Sequence, residues 1–338
     1  MLEETQNVPI RAGLKVTNLL ELGSYMEFQH LESVLGPIIL QDEQTGGFAN
    51  FVFRIGTENG EFFLKHRAPY IKARPELLRP RERLLHEIEA VKILYHILPL
   101  GTSPKLVYED PENFTFMTES LFRGNGRLLD EYIKEGVYPI DIALILGKLI
   151  GQLHTKTYNS EISIREPSEE LRFYEQQYDI LFYSVSFPSS IARTVCLEEI
   201  NKVKSRGKAI VIGDLSPKNI VTSDGNVALF DFDAVHMGDP ATDLAYLFGH
   251  IFLSSFVNGR VTEAREFIHN FIAGYEEKVD ENIVGLDAIE VINSSLVLSI
   301  ATIAYRLFDA FVPEATFLPD EVVAVYRKFS SSICSKLF

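Results

Sequence analysis

The sequence is short of several things, and each shortage excludes a class of protein. Its 338 residues hold two cysteines, Cys196 and Cys334, in no CxxC or CxxH spacing. That argues against a disulfide framework and a thiolate zinc site, and suits the reducing cytoplasm. Positive charge is also scarce: 32 Lys and Arg stand against 47 Asp and Glu, for a net charge of −15. A phosphate backbone is held by clustered cations, so nucleic acid is not an expected partner. The opening MLEETQNVPIRAGLK has no apolar core of the kind a signal peptide needs. The most apolar run, SSLVLSIATIAYRLF from Ser294, is broken by Ser, Thr, Tyr and Arg. It is too short and polar to span a bilayer, so it reads as a buried helix and no membrane partner is expected. No internal repeat, low-complexity tract or Walker A sequence occurs, so a P-loop enzyme is not expected.

What is present is an apolar content of 46%, enough for a substantial core. PIIL at 37–40, NFVFRI at 50–55 and EFFLK at 61–65 are separated by QTGG and TENG, which are turn formers, and predict an antiparallel meander. RERLLHEIEAVKILYHI at 81–97 repeats Leu84, Leu85, Ile88, Val91 and Leu94 at helical spacing. KLVYED at 105–110 and FTFMTES at 114–120 add two strands. Residues 1–119 are therefore expected to form one lobe, a helical extension followed by a five-stranded sheet with one main helix. Helical spacing then dominates at 141–158, from about 168 to 205 and from 241 onwards, which predicts a larger, mostly helical lobe over 120–338. The fold class is α+β.

The helical pattern is interrupted at 208–233, and the interruption carries the chemistry. VIGDLSPKN at 211–219 puts Asp214 and Asn219 in one loop, and FDFDAVHMGDP follows from Phe230 to Pro240. Between them, NIVT and NVALF flank Ser223-Asp224-Gly225, a hairpin signal. Pairing Thr222 with Val227 places Asn219 opposite Phe230, so Asn219 and Asp231 converge at the hairpin mouth only if the backbone bends there. If the strand runs on, Asp231 and Asp233 face one way and Phe230 and Phe232 the other. Two carboxylates and an amide oxygen suit a hard cation such as Mg²⁺. Asp214, near that group, is placed to accept the proton of a substrate hydroxyl. Asp239, just before Pro240, reads as a helix N-cap, and Asp243 as a brace for the loop.

These residues resemble the aminoglycoside phosphotransferase and choline kinase superfamily, small-molecule kinases with a protein-kinase-like two-lobe fold. The family pattern H-G-D-x-x-x-x-N, I-D-[FW]-[ED], G-D-P-x-x-D-L-A stands here as Ile212-Gly213-Asp214 to Asn219, Phe230 to Asp233, and Gly238-Asp239-Pro240 to Ala245. The resemblance implies ATP and Mg²⁺ as cofactors, Asp214 as catalytic base, Asn219 and Asp231 as metal ligands and Asp233 as a further candidate ligand. Two departures stand out: Ile212 replaces the usual His, and Ser216 a second His that many members carry. Such kinases also need a Lys on the third strand and a Glu on the next helix. Lys65 and Glu87 fit, with Glu89 a competitor.

Gly46 and Gly47 sit where a phosphate-covering loop belongs, although an ordinary hairpin turn explains them equally. Met117 is read either as adenine-lining or as plain core, with Glu119 at the strand end where a hinge would offer backbone groups to adenine. The N-terminal half, and ATIAYRLFDAFVPEATF near the C-terminus, look most like methylthioribose kinases, in which Arg residues help hold the sugar. Arg306 is the candidate here, although those enzymes usually carry a paired Arg and a D-P-E motif instead of Tyr305-Arg306 and Asp231-Phe232-Asp233. The expected partner is a small polar hydroxyl compound, a sugar such as methylthioribose. The rivals are an aminoglycoside, choline or homoserine type of acceptor, and a catalytically silent nucleotide-binding protein.

Overall fold

The computed structural model describes residues 14–44, 49–164, 190–280 and 282–308, with side chains as far as 303. The chain divides into two compact units, Met1–Ile88 with Lys105–Gly124 and Glu89–Pro104 with Asn125–Phe338.

In the first unit, helix α1 (Leu19–Phe28) starts where the Asn18 side chain accepts the Glu21 amide, and α2 (Glu32–Leu35) follows. The strands β1 (Ile38–Glu43), β2 (Phe51–Thr57), β3 (Gly60–His66), β6 (Leu106–Asp110) and β7 (Thr115–Glu119) form an antiparallel sheet in the order β1-β2-β3-β7-β6. These are the five expected strands, each within a few residues of its predicted bounds. Alternation along β2 and β3 buries one face: Phe51, Phe53, Ile55, Phe62, Leu64 and Met117 pack with Leu22, Tyr25, Met26, Leu31 and Leu35. The insertion after β3 holds a short hairpin that the sequence pattern did not reveal, β4 (Tyr70–Ile71) with β5 (Arg74–Leu78). Helix α3 (Arg83–Ile97) follows it.

The second unit is mainly helical: α4 (Leu129–Lys134), α5 (Ile140–Thr157), α6 (Ser190–Lys204), α7 (Pro240–Asn258), α8 (Val261–Lys278) and α9 (Ala288–Phe308). Helices α5 and α8 cross with their backbones in contact. A Cβ on Gly147 would lie 2.0 Å from the Phe271 carbonyl oxygen, and one on Gly274 would lie 2.1 Å from that of Leu144. The expected buried helix from Ser294 lies in α9, where Ser295, Leu298, Ala301 and Thr302 are buried. Among the described residues no helix is long and apolar enough to cross a membrane.

Short strands fill the interruption between α6 and α7: β9 (Ala209–Val211), β10 (Ile220–Ser223), β11 (Asn226–Leu229) and β12 (His236–Gly238). β10 pairs with β11 and with β8 (Arg127–Leu128), and β12 pairs with β9, a pairing the sequence did not disclose. The β10–β11 register has Thr222 opposite Val227, as expected. Asp224 and Gly225, at φ 48° and 77°, form the tight turn that the Asp-Gly pair favours. The expected turn at Gly46 and Gly47 and the first part of the helical stretch expected from about 168 to 205 lie outside the described residues.

Candidate active site

The charged pair of the first unit is built on regular structure. Lys65 is the sixth residue of β3 and Glu87 lies in the second turn of α3; Lys65 Nζ is 2.6 Å from Glu87 Oε1. Glu87 is 1% exposed and Lys65 11%, so the contact is dry and the two charges hold each other. Of the two candidate acids, the structure brings Glu87 to Lys65. Lys65 also stands over the Phe116 ring, 5.9 Å from its centroid, because β3 and β7 pair these two residues directly.

The same register decides between the two readings of Met117. It pairs with Leu64, on the opposite face from Lys65, and its fully buried side chain belongs to the core against α1. Phe116, which the sequence reading passed over, shares the Lys65 face instead. Glu119 ends β7 as expected, but its amide donates to the Lys105 carbonyl at 2.9 Å and the Ser120 amide to that of Glu61 at 2.8 Å. Both N–H groups are thus committed within the unit.

In the second unit the loop after β9 is fixed by buried hydrogen bonds. Asp243, in the first turn of α7 and fully buried, accepts the Ile212 amide at Oδ2 (2.7 Å) and the Gly213 amide at Oδ1 (2.8 Å). The bracing role expected of Asp243 is therefore seen directly. His154 of α5, also fully buried, donates from Nε2 to the same Oδ2 at 3.3 Å, and its Nδ1 lies 3.1 Å from the Tyr275 hydroxyl. Burial holds the Tyr275 phenol well above its ordinary range, so that hydroxyl keeps its proton to donate. His154 was missed in the sequence because a His on an apolar helix face carries no signal of its partner.

Ile212 is explained by the same bracing. Its side chain is buried in the core and its backbone amide does the bonding, so replacing the usual His costs the loop none of its backbone anchoring. Gly213 must be glycine: its φ is +77°, and a Cβ would meet the Ala234 carbonyl oxygen at 2.2 Å. Asp239 caps α7 by accepting the Ala241 amide at 2.8 Å, with Pro240 as first helical residue, as expected. Arg206 holds that carboxylate through two hydrogen bonds of 2.6 and 2.9 Å.

Asp214 follows Gly213 with its side chain 23% exposed. Asn219 ends a single 3₁₀ turn, Pro217–Asn219, and is buried; its Nδ2 donates to the Asp214 carbonyl at 3.0 Å. That bond occupies the amide nitrogen, so Oδ1 is the atom that could ligate a cation. The Phe230 amide donates to the Asn219 carbonyl at 3.2 Å, which carries the hairpin register to its mouth. The expected bend is present there: Asp231 has φ +62°, the left-handed region. The strand ends at Leu229, so the expected alternation fails, and Asp231 and Asp233 are placed by an irregular segment around fully buried Phe232.

Both aspartates are half-buried, and with Asn219 Oδ1 they offer only oxygen donors, the chemistry a hard divalent cation takes. Among the described residues no three His, Cys, Asp or Glu cluster as a metal centre. Two carboxylates and an amide leave positions for phosphate and water, as Mg²⁺ sites commonly do. Arg306 lies in the last described turns of α9, and its side chain is outside the described residues.

Residues 43–282 match the phosphotransferase enzyme family APH. The chain belongs to that family. Its members transfer phosphoryl groups to hydroxyl groups of small molecules, and the fold is kinase-like with two lobes. No curated protein sequence matches significantly. Among solved structures, the choline kinase LicA from Streptococcus pneumoniae is similar at TM-score 0.55 and 17% identity, over 93% of this chain and 99% of that one. A choline/ethanolamine kinase family protein from Mesorhizobium loti is similar at TM-score 0.54 and 18% identity, over 93% and 92%. The amicoumacin kinase hAmiN, solved with AMP-PNP, Ca²⁺ and its ligand, is similar at TM-score 0.54 and 17% identity, over 93% and 96%. At such identities the likeness is one of fold.

Proposed function

We propose that this phosphotransferase moves the γ-phosphoryl group of ATP, with Mg²⁺, onto a hydroxyl of a small polar metabolite in the cytoplasm. The observation that carries the reading is the loop from Ile212 to Asn219. Its backbone is pinned by Asp243 and its Asn219 amide is tied back to Asp214, so a carboxylate and an amide oxygen are presented at fixed positions. Phosphoryl transfer asks mainly for positioning and charge neutralisation, which such a loop supplies.

Asp214 orients the acceptor hydroxyl and takes its proton as the bond to phosphorus forms. Asn219, Asp231 and Asp233 would hold Mg²⁺, which when bound neutralises phosphate charge. Lys65, kept in place by Glu87, is the phosphate-holding cation of the first unit. Phe116, on the Lys65 face, replaces Met117 as the apolar candidate for the nucleotide.

The sequence resemblance to methylthioribose kinases favours a sugar acceptor, and Arg306 is the residue assigned to hold it. The fold neighbours include a choline kinase, which keeps a choline-type acceptor as the second reading. The test is transfer of labelled phosphate from ATP to a panel holding methylthioribose, homoserine, choline and aminoglycosides, with and without Mg²⁺. Magnesium-dependent labelling of one class supports the proposal; binding of Mg-ATP with no labelling of any acceptor overturns it.

A further inference from the structure

The loop holds one cation that its assigned roles leave unexplained. Lys218 occupies the middle of the 3₁₀ turn Pro217–Asn219, and its Nζ folds back to lie 3.1 Å from Asp214 Oδ2. The two neighbours on that turn part company. Asn219 is buried and hydrogen-bonded to the Asp214 backbone, whereas the Lys218 side chain is 41% exposed and ion-paired with the Asp214 carboxylate.

We propose that Lys218 is a positioning residue that sets acceptor charge, making the site select neutral or anionic hydroxyl compounds over cationic ones. The proposal deepens the function above and rests on Asp214 being the group that meets the acceptor hydroxyl. The charges around the loop carry it. Asp231 and Asp233 are the carboxylates a divalent cation would use, so Asp214 is the one left to face the acceptor, and Lys218 matches its charge. A carboxylate without such a partner attracts a cationic acceptor within a few ångströms; one already paired with an ammonium does not. The partly exposed Nζ adds repulsion of its own toward a cation approaching Asp214, and attraction toward an anion. Because the pair is partly solvated, the effect is about tenfold to a hundredfold in selectivity rather than absolute exclusion.

The experiment compares wild type, Lys218→Met and Lys218→Arg in the full chain with Mg-ATP. The acceptors are choline and its uncharged carbon isostere, neutral sugars including methylthioribose, an anionic hydroxy acid, and an aminoglycoside. The readout is the ratio of kcat/KM for cationic against neutral acceptors, which a merely structural residue would not move. Wild type is expected to favour neutral or anionic acceptors. Lys218→Met should raise the cationic-to-neutral ratio by about tenfold or more, and Lys218→Arg should keep the wild-type ratio. Melting curves confirm that both variants fold. A ratio that stays within about twofold in Lys218→Met, or a wild type that prefers the cationic acceptors, overturns the inference while leaving the kinase reading intact. Labelling of no acceptor by wild type overturns that reading, and this inference falls with it.

Discussion

In the first unit a strand and a helix set the charged pair, whereas in the second unit hydrogen bonds set the acidic group where regular structure has stopped. Lys65 and Glu87 meet because β3 and α3 are regular, so their positions follow from the pleat and the helical turn. Asp214, Asn219 and Asp231 sit on turns and in left-handed backbone, held by Asp243, by the Asp214 carbonyl and by the bend after β11. A residue on a regular element can be moved only by moving the element. A residue on a braced loop can be moved by removing one buried acceptor, so the units should fail differently when their supports are cut.

The largest effect is expected in the first unit. Lys65→Met takes the ammonium from a Glu87 carboxylate that is 1% exposed, and breaking such a buried pair costs about 3–5 kcal/mol. Urea unfolding should show that loss, and the double variant with Glu87→Gln should recover much of it. A double variant no more stable than Lys65→Met would mean that the pair is not buried as described.

His66, the next residue on β3, gives the same unit a pH dependence. Burial, followed by the nearby Arg81 charge, lowers its pKa from 6.5 to about 4. The unfolded chain therefore binds a proton that the folded chain refuses over that interval. Stability is complete above about 6.5 and falls as pH drops toward 4, by on the order of 3 kcal/mol in all. His66→Gln should abolish this part of the acid sensitivity in unfolding measured at about pH 7.5 and about pH 5.

Cutting the second unit's support should cost less stability while still lowering turnover. Asp243→Asn replaces one of two oxygens that accept the Ile212 and Gly213 amides, for about 1–3 kcal/mol. Turnover should fall by roughly a hundredfold because Asp214 loses its fixed backbone. An Asp243→Asn enzyme with wild-type kcat would show that the brace does not position the base.

How much of this was legible follows the same division. The Asp-Gly turn and its flanking β-branched runs are local, so the hairpin register could be worked out residue by residue, and Thr222 does face Val227. The five-stranded sheet and the helix after it were readable from period and order, and the kinase resemblance then pointed to Lys65 and to Glu87 or Glu89, between which the structure decides. The two readings of Met117 stayed open because assigning its face needs the partner strand's register, which no local pattern carries. The continuation of the strand through Asp233 failed for the opposite reason: Asp231 takes a left-handed conformation that tertiary packing imposes on a non-glycine residue. His154 and Lys218 were passed over because each matters through one long-range or looping contact, to Asp243 and to Asp214.

The measurement that bears most directly on the central claim is single-turnover phosphoryl transfer by Asp214→Asn beside calorimetry with Mg-ATP, using the acceptor found for wild type. The account predicts Mg-ATP affinity within a few-fold of wild type and transfer slower by about a thousandfold or more. Transfer at the wild-type rate would contradict it, because the braced loop would then be presenting a carboxylate that the chemistry does not use.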